Sequence, residues 1–319
     1  MQKWLLAIAS AIQRIPASSV WLASLYLRMF RVLKYLPDGR WKRALERAVE
    51  DVQWPEVSLP STRTELAPGF AARLVPHVGE FDFSAHLYRR MPYEREVCSW
   101  LADRSYDVVI EIGANVGFYS VLFSLMLPEA RIYSFEPAQT PFRRLLENLA
   151  LNKCKNVVPF KCAIARAAGF LEFYEPQGHL TNGSLDRGFA ETFGAVTETK
   201  VASLSGNELC ALAEHGKRML IKIDAEGLEP QILCSLEPLI IAERPDMIIE
   251  VIHDVPQQLN QIEFLRAYRI FQLLPEGAKE VDCFTLTKSR DYALVPRVCV
   301  PATLMAGHEA NRASMAQHP

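Results

Sequence analysis

Ten residues, Val108 to Gly117, constrain this 319-residue chain more than any other stretch. Val108, Val109, Ile110 and Ile112 form an almost unbroken apolar run, the pattern of a strand buried on both faces of a parallel sheet. The run ends in Gly113-Ala114-Asn115-Val116-Gly117 and passes into the apolar residues 118–123, long enough for a buried helix. Strand, glycine turn and helix make the first half of a nucleotide-type βαβ unit. Gly113 and Gly117 permit a tight turn and are expected to leave no Cβ between the backbone and a ligand. The spacing Glu-x-Gly-x-Asn-x-Gly differs from the Gly-x-Gly-x-x-Gly that cradles a pyrophosphate, so a smaller, non-phosphate ligand is expected. On these ten residues alone, a tight strand-to-helix turn without a ligand would read the same way.

The rest of the chain supplies matching units. Strands are expected over 131–135, 156–161, 219–223 and 246–252, and a last antiparallel pair over 268–274 and 292–296. Helices are expected near 93–101, from Gly117 to Pro128, near 207–214, and from Leu228 through Ile232, Leu233 and Leu236. Thr140 followed by Pro141 reads as an N-cap and first turn. Phe142, Leu145, Leu146 and Leu149 then follow at i, i+3, i+4 and i+7 on one helix face. Residues 169–174 and 196–204 look like the arms of a hairpin around an insertion, 175–195, too long to be a mere connector. Strands alternating with helices give an α/β sheet covered on both faces.

Charge and cysteine content narrow the class. Lysine and arginine number 35 against 37 acids, a net charge of −2, which gives no global sign of a nucleic-acid partner. Seven cysteines, an odd count with no C-x-x-C pair, indicate neither a zinc site nor a disulfide framework, and a reducing cytosol is expected. No apolar run reaches the ~20 residues of a membrane span, and the apolar start at residues 4–9 lacks a cleavage site. Residues 1–37 carry Lys3, Arg14, Arg28, Arg31 and Lys34 and no acid. Ser24, Arg28, Arg31 and Lys34 draw one polar stripe along an otherwise apolar helix. It reads as a helical extension packed on the main domain, as a cationic helix peripheral to a membrane, or as a transit peptide. Residues 40–53 read as a more polar helix and 54–80 as a linker with short strands. The expected organisation is an extension and linker over 1–90, the main domain over 91–300, and a disordered tail over 301–319.

In an open α/β sheet the ligand sits beyond the carboxyl ends of the strands, where strand order reverses. Glu136 ends the second strand 23 positions after Gly113, where an acid can accept the hydroxyls of a ribose.

With these residues in view the chain resembles the FkbM family of S-adenosylmethionine-dependent methyltransferases. The likeness rests on Val108 to Gly117, Phe135-Glu136-Pro137, Asn148 with Asn152, Lys222-Ile223-Asp224-Ala225-Glu226-Gly227-Leu228-Glu229 and Asp291-Tyr292-Ala293-Leu294-Val295-Pro296, and spans roughly 95–297. The Lys-x-Asp-x-Glu-Gly-x-Glu element is its most specific part. The resemblance implies a class I methyltransferase (Rossmann-like) fold, seven-stranded and mostly parallel with one antiparallel strand. It also implies S-adenosylmethionine as cofactor and O-methylation of a hydroxyl on a sugar, glycan, lipid or natural-product acceptor. By position, Gly113, Asn115 and Gly117 would face the cofactor's amino-acid end, with Glu111 and Asp224 beside them. Glu136 would meet its ribose, and Ala163 with Ile164 its adenine. Asn182 and Ser184 would lie near the substrate. The family more often has aspartate at Glu111 and at Ser205.

Methyl transfer to a hydroxyl needs positioning, water exclusion and one general base. Asp224, Glu226, Glu250 and His253 are the candidates, with Asp224 first and Glu226 second; no metal site is expected. A non-catalytic binding protein on a degenerate fold is the rival reading, and an NAD enzyme a weaker one. Lys222, inside an apolar run, is expected to be buried and paired with Glu111 first or Glu250 second. That pairing would leave Asp224 and Glu226 to face cofactor and acceptor, and Asp224→Asn would spare stability.

Overall fold

The computed structural model describes residues 57–58, 61–75, 77–78, 94–177, 179–212, 216–252 and 255–297. The expectations for residues 1–37 and 40–53, for the tail from Pro301 and for His253 lie outside the described residues. Among those described, no helix is long and apolar enough to cross a membrane.

A hairpin of β1 (Thr62–Ala67) and β2 (Phe70–Leu74) leads, past α1 (Arg95–Leu101), into the central strand β3 (Val108–Ile112). Then come α2 (Phe118–Met126), β4 (Arg131–Phe135), α3 (Gln139–Asn152), β5 (Val157–Phe160) and the short β6 (Ala163–Ile164). The insertion lies between β7 (Gly169–Pro176) and β8 (Val196–Leu204), and holds the one-turn helix α4 (Arg187–Glu191). After α5 (Gly206–Cys210) the chain resumes as β9 (Met219–Ile223), α6 (Glu229–Glu243), β10 (Asp246–Glu250) and α7 (Val255–Leu259). It closes with β11 (Tyr268–Leu274), β12 (Gly277–Val281) and β13 (Asp291–Pro296).

The main sheet has eight strands in the order β12-β11-β13-β10-β9-β3-β4-β5. The five from β10 to β5 run parallel, β13 is antiparallel to β10, and β11 is antiparallel to β13. The seven expected strands are present, and β12 adds an eighth at the edge beside β11. Alternation along β3 and β9 divides the core. Val108, Ile110, Ile112, Met219, Ile221 and Ile223 pack under Leu233, Leu236 and Ile240 of α6. Val109 and Leu220 pack on the other side with α1, α2 and the β1–β2 hairpin. Burial on both faces is why these strands read as nearly continuous apolar runs.

The hairpin is fastened to this body by two asparagines of α3. Asn148 accepts from Val75 N at 3.0 Å and donates to Val116 O at 2.8 Å, while Asn152 exchanges two bonds with the Arg73 backbone. One helix thus ties β2 to the glycine turn, and the packed body takes in residues upstream of 91. The insertion arms pair as expected, in a separate sheet of order β6-β8-β7.

Candidate functional site

Strand order reverses between β3 and β9, and a cavity of about 610 Å³ opens past their carboxyl ends. Its walls bring together the 113–116 turn, Glu136, Ala163, Asn182, Ser184, Asp224, Glu226 and Glu250. These come from six segments far apart in sequence, and every predicted site residue that the structure describes lies on this cavity or, for Gly117, in the turn beneath it.

The two turn glycines serve the protein's own packing. Gly113 has φ +85°, and a Cβ there would lie 1.7 Å from the carbonyl oxygen of Asp224. Gly117 has φ +86°, and its Cβ would meet Leu145 Cδ1 at 2.6 Å. The expectation that they clear room for a ligand is corrected: the space is filled by the β9 turn and by α3. The three residues between them, Ala114, Asn115 and Val116, line the cavity. Asn115 takes a left-handed φ of +49°, which asparagine tolerates better than most residues. Its N–H donates to Glu136 Oε2 at 2.8 Å, and its buried Oδ1 has no hydrogen-bond partner among the described residues.

Glu136 is buried, and its Oε1 accepts the Ala138 N–H at 2.8 Å. Ala138 is the N-cap position of α3, so Thr140 lies inside the helix rather than capping it. Burial pushes the Glu136 carboxyl up to about 7, against the two backbone donors that favour its charge. Each of its oxygens keeps a second lone-pair direction for a ligand hydroxyl.

The Lys-x-Asp-x-Glu-Gly-x-Glu element resolves into three jobs. Lys222 is 3% exposed and pairs with Asp224 Oδ2 at 2.9 Å, its ammonium 4.4 Å from the Tyr119 ring centroid. This corrects the expected partner. Lys222 stands in register beside Glu111, but Glu111 Oε2 is occupied by Ser120 Oγ at 2.5 Å and Ser134 Oγ at 2.8 Å. Glu111 is pushed to about 7 by burial, which outweighs those hydroxyls and Lys222. Burial disfavours charge on Lys222, but Asp224, Glu94 and Glu111 outweigh it and raise its pKa. Glu229, fully buried, takes Ala225 N at 2.9 Å and Gly227 N at 3.3 Å on Oε1 and so holds the turn. Burial sets it at about 7 as well. Glu226, at φ +54°, is left on the cavity wall, where Oε1 accepts from Asn182 Nδ2 at 3.4 Å. Ser184 Oγ approaches the Glu226 carbonyl at 3.4 Å and accepts from Asp186 N, which caps α4. Ser205, by contrast, forms the capping box of α5 with Glu208.

Three buried acids near 7 give a pH signature to the ligand-free protein. Between their ordinary 4.5 and about 7 the folded chain binds more protons than the unfolded one. Unfolding free energy therefore falls as pH rises through that window. The melting midpoint should drop from pH 5 to pH 8 by scanning fluorimetry, and Glu136→Gln should flatten the slope. A midpoint that rises over this range, or an unchanged slope in the variant, would contradict the assignment.

The family model described as "Methyltransferase FkbM domain" matches residues 111–272, just over half of the chain. The chain belongs to the FkbM methyltransferase family. Hexuronic acid methyltransferase AglP of Haloferax volcanii is 30% identical over 127 residues, covering 40% of this chain and 48% of that protein. The 31-O-demethyl-FK506 methyltransferase FkbM of Streptomyces tacrolimicus is 28% identical over 202 residues, covering 53% and 74%. The crystal structure of methyltransferase FkbM from Methylobacillus flagellatus KT overlaps at a TM-score of 0.40 with 14% identity, covering 61% of this chain and 45% of that one. The aligned region thus spans just under half the length of the Haloferax volcanii relative.

The cofactor of this FkbM-family chain is S-adenosylmethionine, and the cavity fits it. The orphaned Asn115 Oδ1 suits an ammonium donor, and the open lone pairs of Glu136 suit ribose hydroxyls. Acids outnumber bases on the walls: Glu111, Glu136, Asp224, Glu226 and Glu250 face Lys222 and Arg290. That balance suits a cationic ligand. Among the described residues no group of three or more His, Cys, Asp or Glu is placed to hold a metal ion.

Proposed function

We propose that this chain O-methylates a hydroxyl of a sugar-like acceptor, with the two ligands side by side in the one cavity. The carrying observation is the meeting of the insertion with the β9 turn: Asn182 and Ser184 reach Glu226 across the cavity wall. Amide, hydroxyl and carboxylate converge there with the Phe189 and Phe193 rings. Such a wall can hydrogen-bond several hydroxyls and cover an apolar ring face. The printed names of the relatives, one acting on a hexuronic acid and one on an O-demethyl natural product, support a hydroxylated acceptor.

On the β3–β5 side, Asn115, Glu136 and Ala163 would hold the cofactor; on the β9–β10 side, Asn182, Ser184 and Glu226 would orient the acceptor. S-adenosylmethionine supplies an electrophilic methyl group on sulfur. The chain's own residues align the acceptor oxygen, exclude water under the insertion and take up one proton. Asp224, fixed to Lys222, positions this side of the cavity.

The test incubates the protein with methyl-13C cofactor and a panel containing hexuronic acids, hexoses and 4-nitrophenyl β-D-glucuronide. The expected product is a methyl ether whose new carbon carries the label. Binding of S-adenosylhomocysteine by calorimetry with no labelled ether from any hydroxylated acceptor would overturn the acceptor reading while sparing the cofactor site.

A further inference from the structure

Five acids line the cavity, and four of them are engaged. Glu111 accepts two hydroxyls, Glu136 two backbone N–H groups, Asp224 the Lys222 ammonium, and Glu226 the Asn182 amide. Glu250 is different. It ends β10, lines the cavity, and receives no hydrogen bond from any described residue. Its nearest cation, Arg290 Nη1, stands 3.8 Å from Oε1, beyond hydrogen-bond reach, and the Arg290 side chain is 59% exposed. The side chain of Glu250 keeps 21% of its surface open, on the cavity.

We infer that Glu250 is the group that takes the proton from the acceptor hydroxyl. This rests on the O-methylation reading. The acceptor O–H bond breaks and its proton passes to a Glu250 carboxylate oxygen. The hydroxyl oxygen forms the new O–C bond, and the pair of the broken C–S bond stays on sulfur. Sulfonium plus carboxylate become thioether plus carboxylic acid, so charge balances.

Position favours Glu250 over the other acids. A base must reach the hydroxyl, and Glu111, Glu136, Asp224 and Glu226 are each held by a hydrogen bond or ion pair to the chain, whereas Glu250 receives no hydrogen bond from the described residues. The groups that face it are Asp224 and Glu226 beyond β9, Asp291 in register across β13, Arg290 before it, and Glu94 ahead of α1. Burial first, then the charges of Asp224, Glu226, Asp291 and Glu94, raise its pKa well above the ordinary value. That strengthens it as a base.

Glu250→Gln should lower kcat for methylation of 4-nitrophenyl β-D-glucuronide by about 100-fold or more while leaving S-adenosylhomocysteine affinity within about twofold. The acid limb of the pH–rate profile should vanish with it, and Glu250→Asp should restore part of the rate. A readout independent of turnover is NMR of protein labelled at the glutamate carboxyl carbon. The signal missing in Glu250→Gln should titrate above the ordinary carboxylate range in the ligand-free chain. The inference is overturned if the variant keeps its rate and profile, or if Glu226→Gln alone shows the loss. A Glu250 signal that titrates in the ordinary range overturns it as well. A wild-type chain that binds S-adenosylhomocysteine but methylates nothing in the panel overturns the acceptor reading, and the proton-acceptor role falls with it.

Discussion

Gly113→Ala is expected to leave almost no stably folded protein. The added Cβ would sit 1.7 Å from Asp224 O and 2.8 Å from Asp224 C, both backbone atoms that cannot rotate away. The β3 turn and the β9 turn would have to separate, and Asp224 N, which donates to Ile112 O at 3.0 Å, would lose the bond that joins them. A left-handed φ of +85° adds strain for any residue with a Cβ. Gly227→Ala separates the two effects, because Gly227 has φ +96° with nothing within 4 Å of its Cβ. The control should cost about 1–2 kcal/mol of strain, whereas the clash at Gly113 should bring the loss beyond about 4 kcal/mol. Chemical denaturation of both variants reads the difference. Equal losses would mean that the two turns are not in contact as described.

How far the sequence reveals this fold follows from which residues carry a periodic signal. Buried strands such as β3 and β9 are legible because every position is apolar or paired, and the glycine turn marks where β3 ends. The edge strand β12 is not: Gly277 to Val281 has four exposed positions of five, so no alternation sets it apart from a loop. The cap of α3 is hidden for another reason. Thr140-Pro141 has the composition of a helix start, but the helix begins one residue earlier at Gln139, with Ala138, whose side chain cannot cap, at the N-cap. At the site, the resemblance named the residues, but the partner expected for Lys222 was wrong. Strand order put Glu111 beside Lys222, which the register confirms. What one-dimensional reasoning lacked were Ser120, one helix away, and Ser134, one strand away, which occupy that carboxyl. The singular position of Glu250 is likewise visible only once the contacts of the four other acids are known.

Lys222→Met should cost about 3 kcal/mol or more, since removing one member of a buried ion pair strands the other. Asp224 is the direct partner, its side chain 23% exposed, so part of its charge stays solvated after the change. The heavier burden falls on acids with less water around them. Glu111 and Asp291 are both buried and both gain from the Lys222 charge, and without it each is held in its ionised form at greater cost. A loss of this size corresponds to a fall in melting midpoint of roughly 6–12 °C for a domain of this size. The fall should be smaller at pH 5.5, where the buried acids take up protons, than at pH 8. Asp224→Asn, which the sequence marked as harmless to the fold, is now expected to destabilise as well, because it removes the ion-pair partner of a buried lysine. The paired variant Lys222→Met with Asp224→Asn should recover part of the single losses, the signature of two groups that act on each other. Additive losses in that double-mutant cycle, or a Lys222→Met midpoint unchanged at pH 8, would mean that Lys222 is not the cation on which these acids depend.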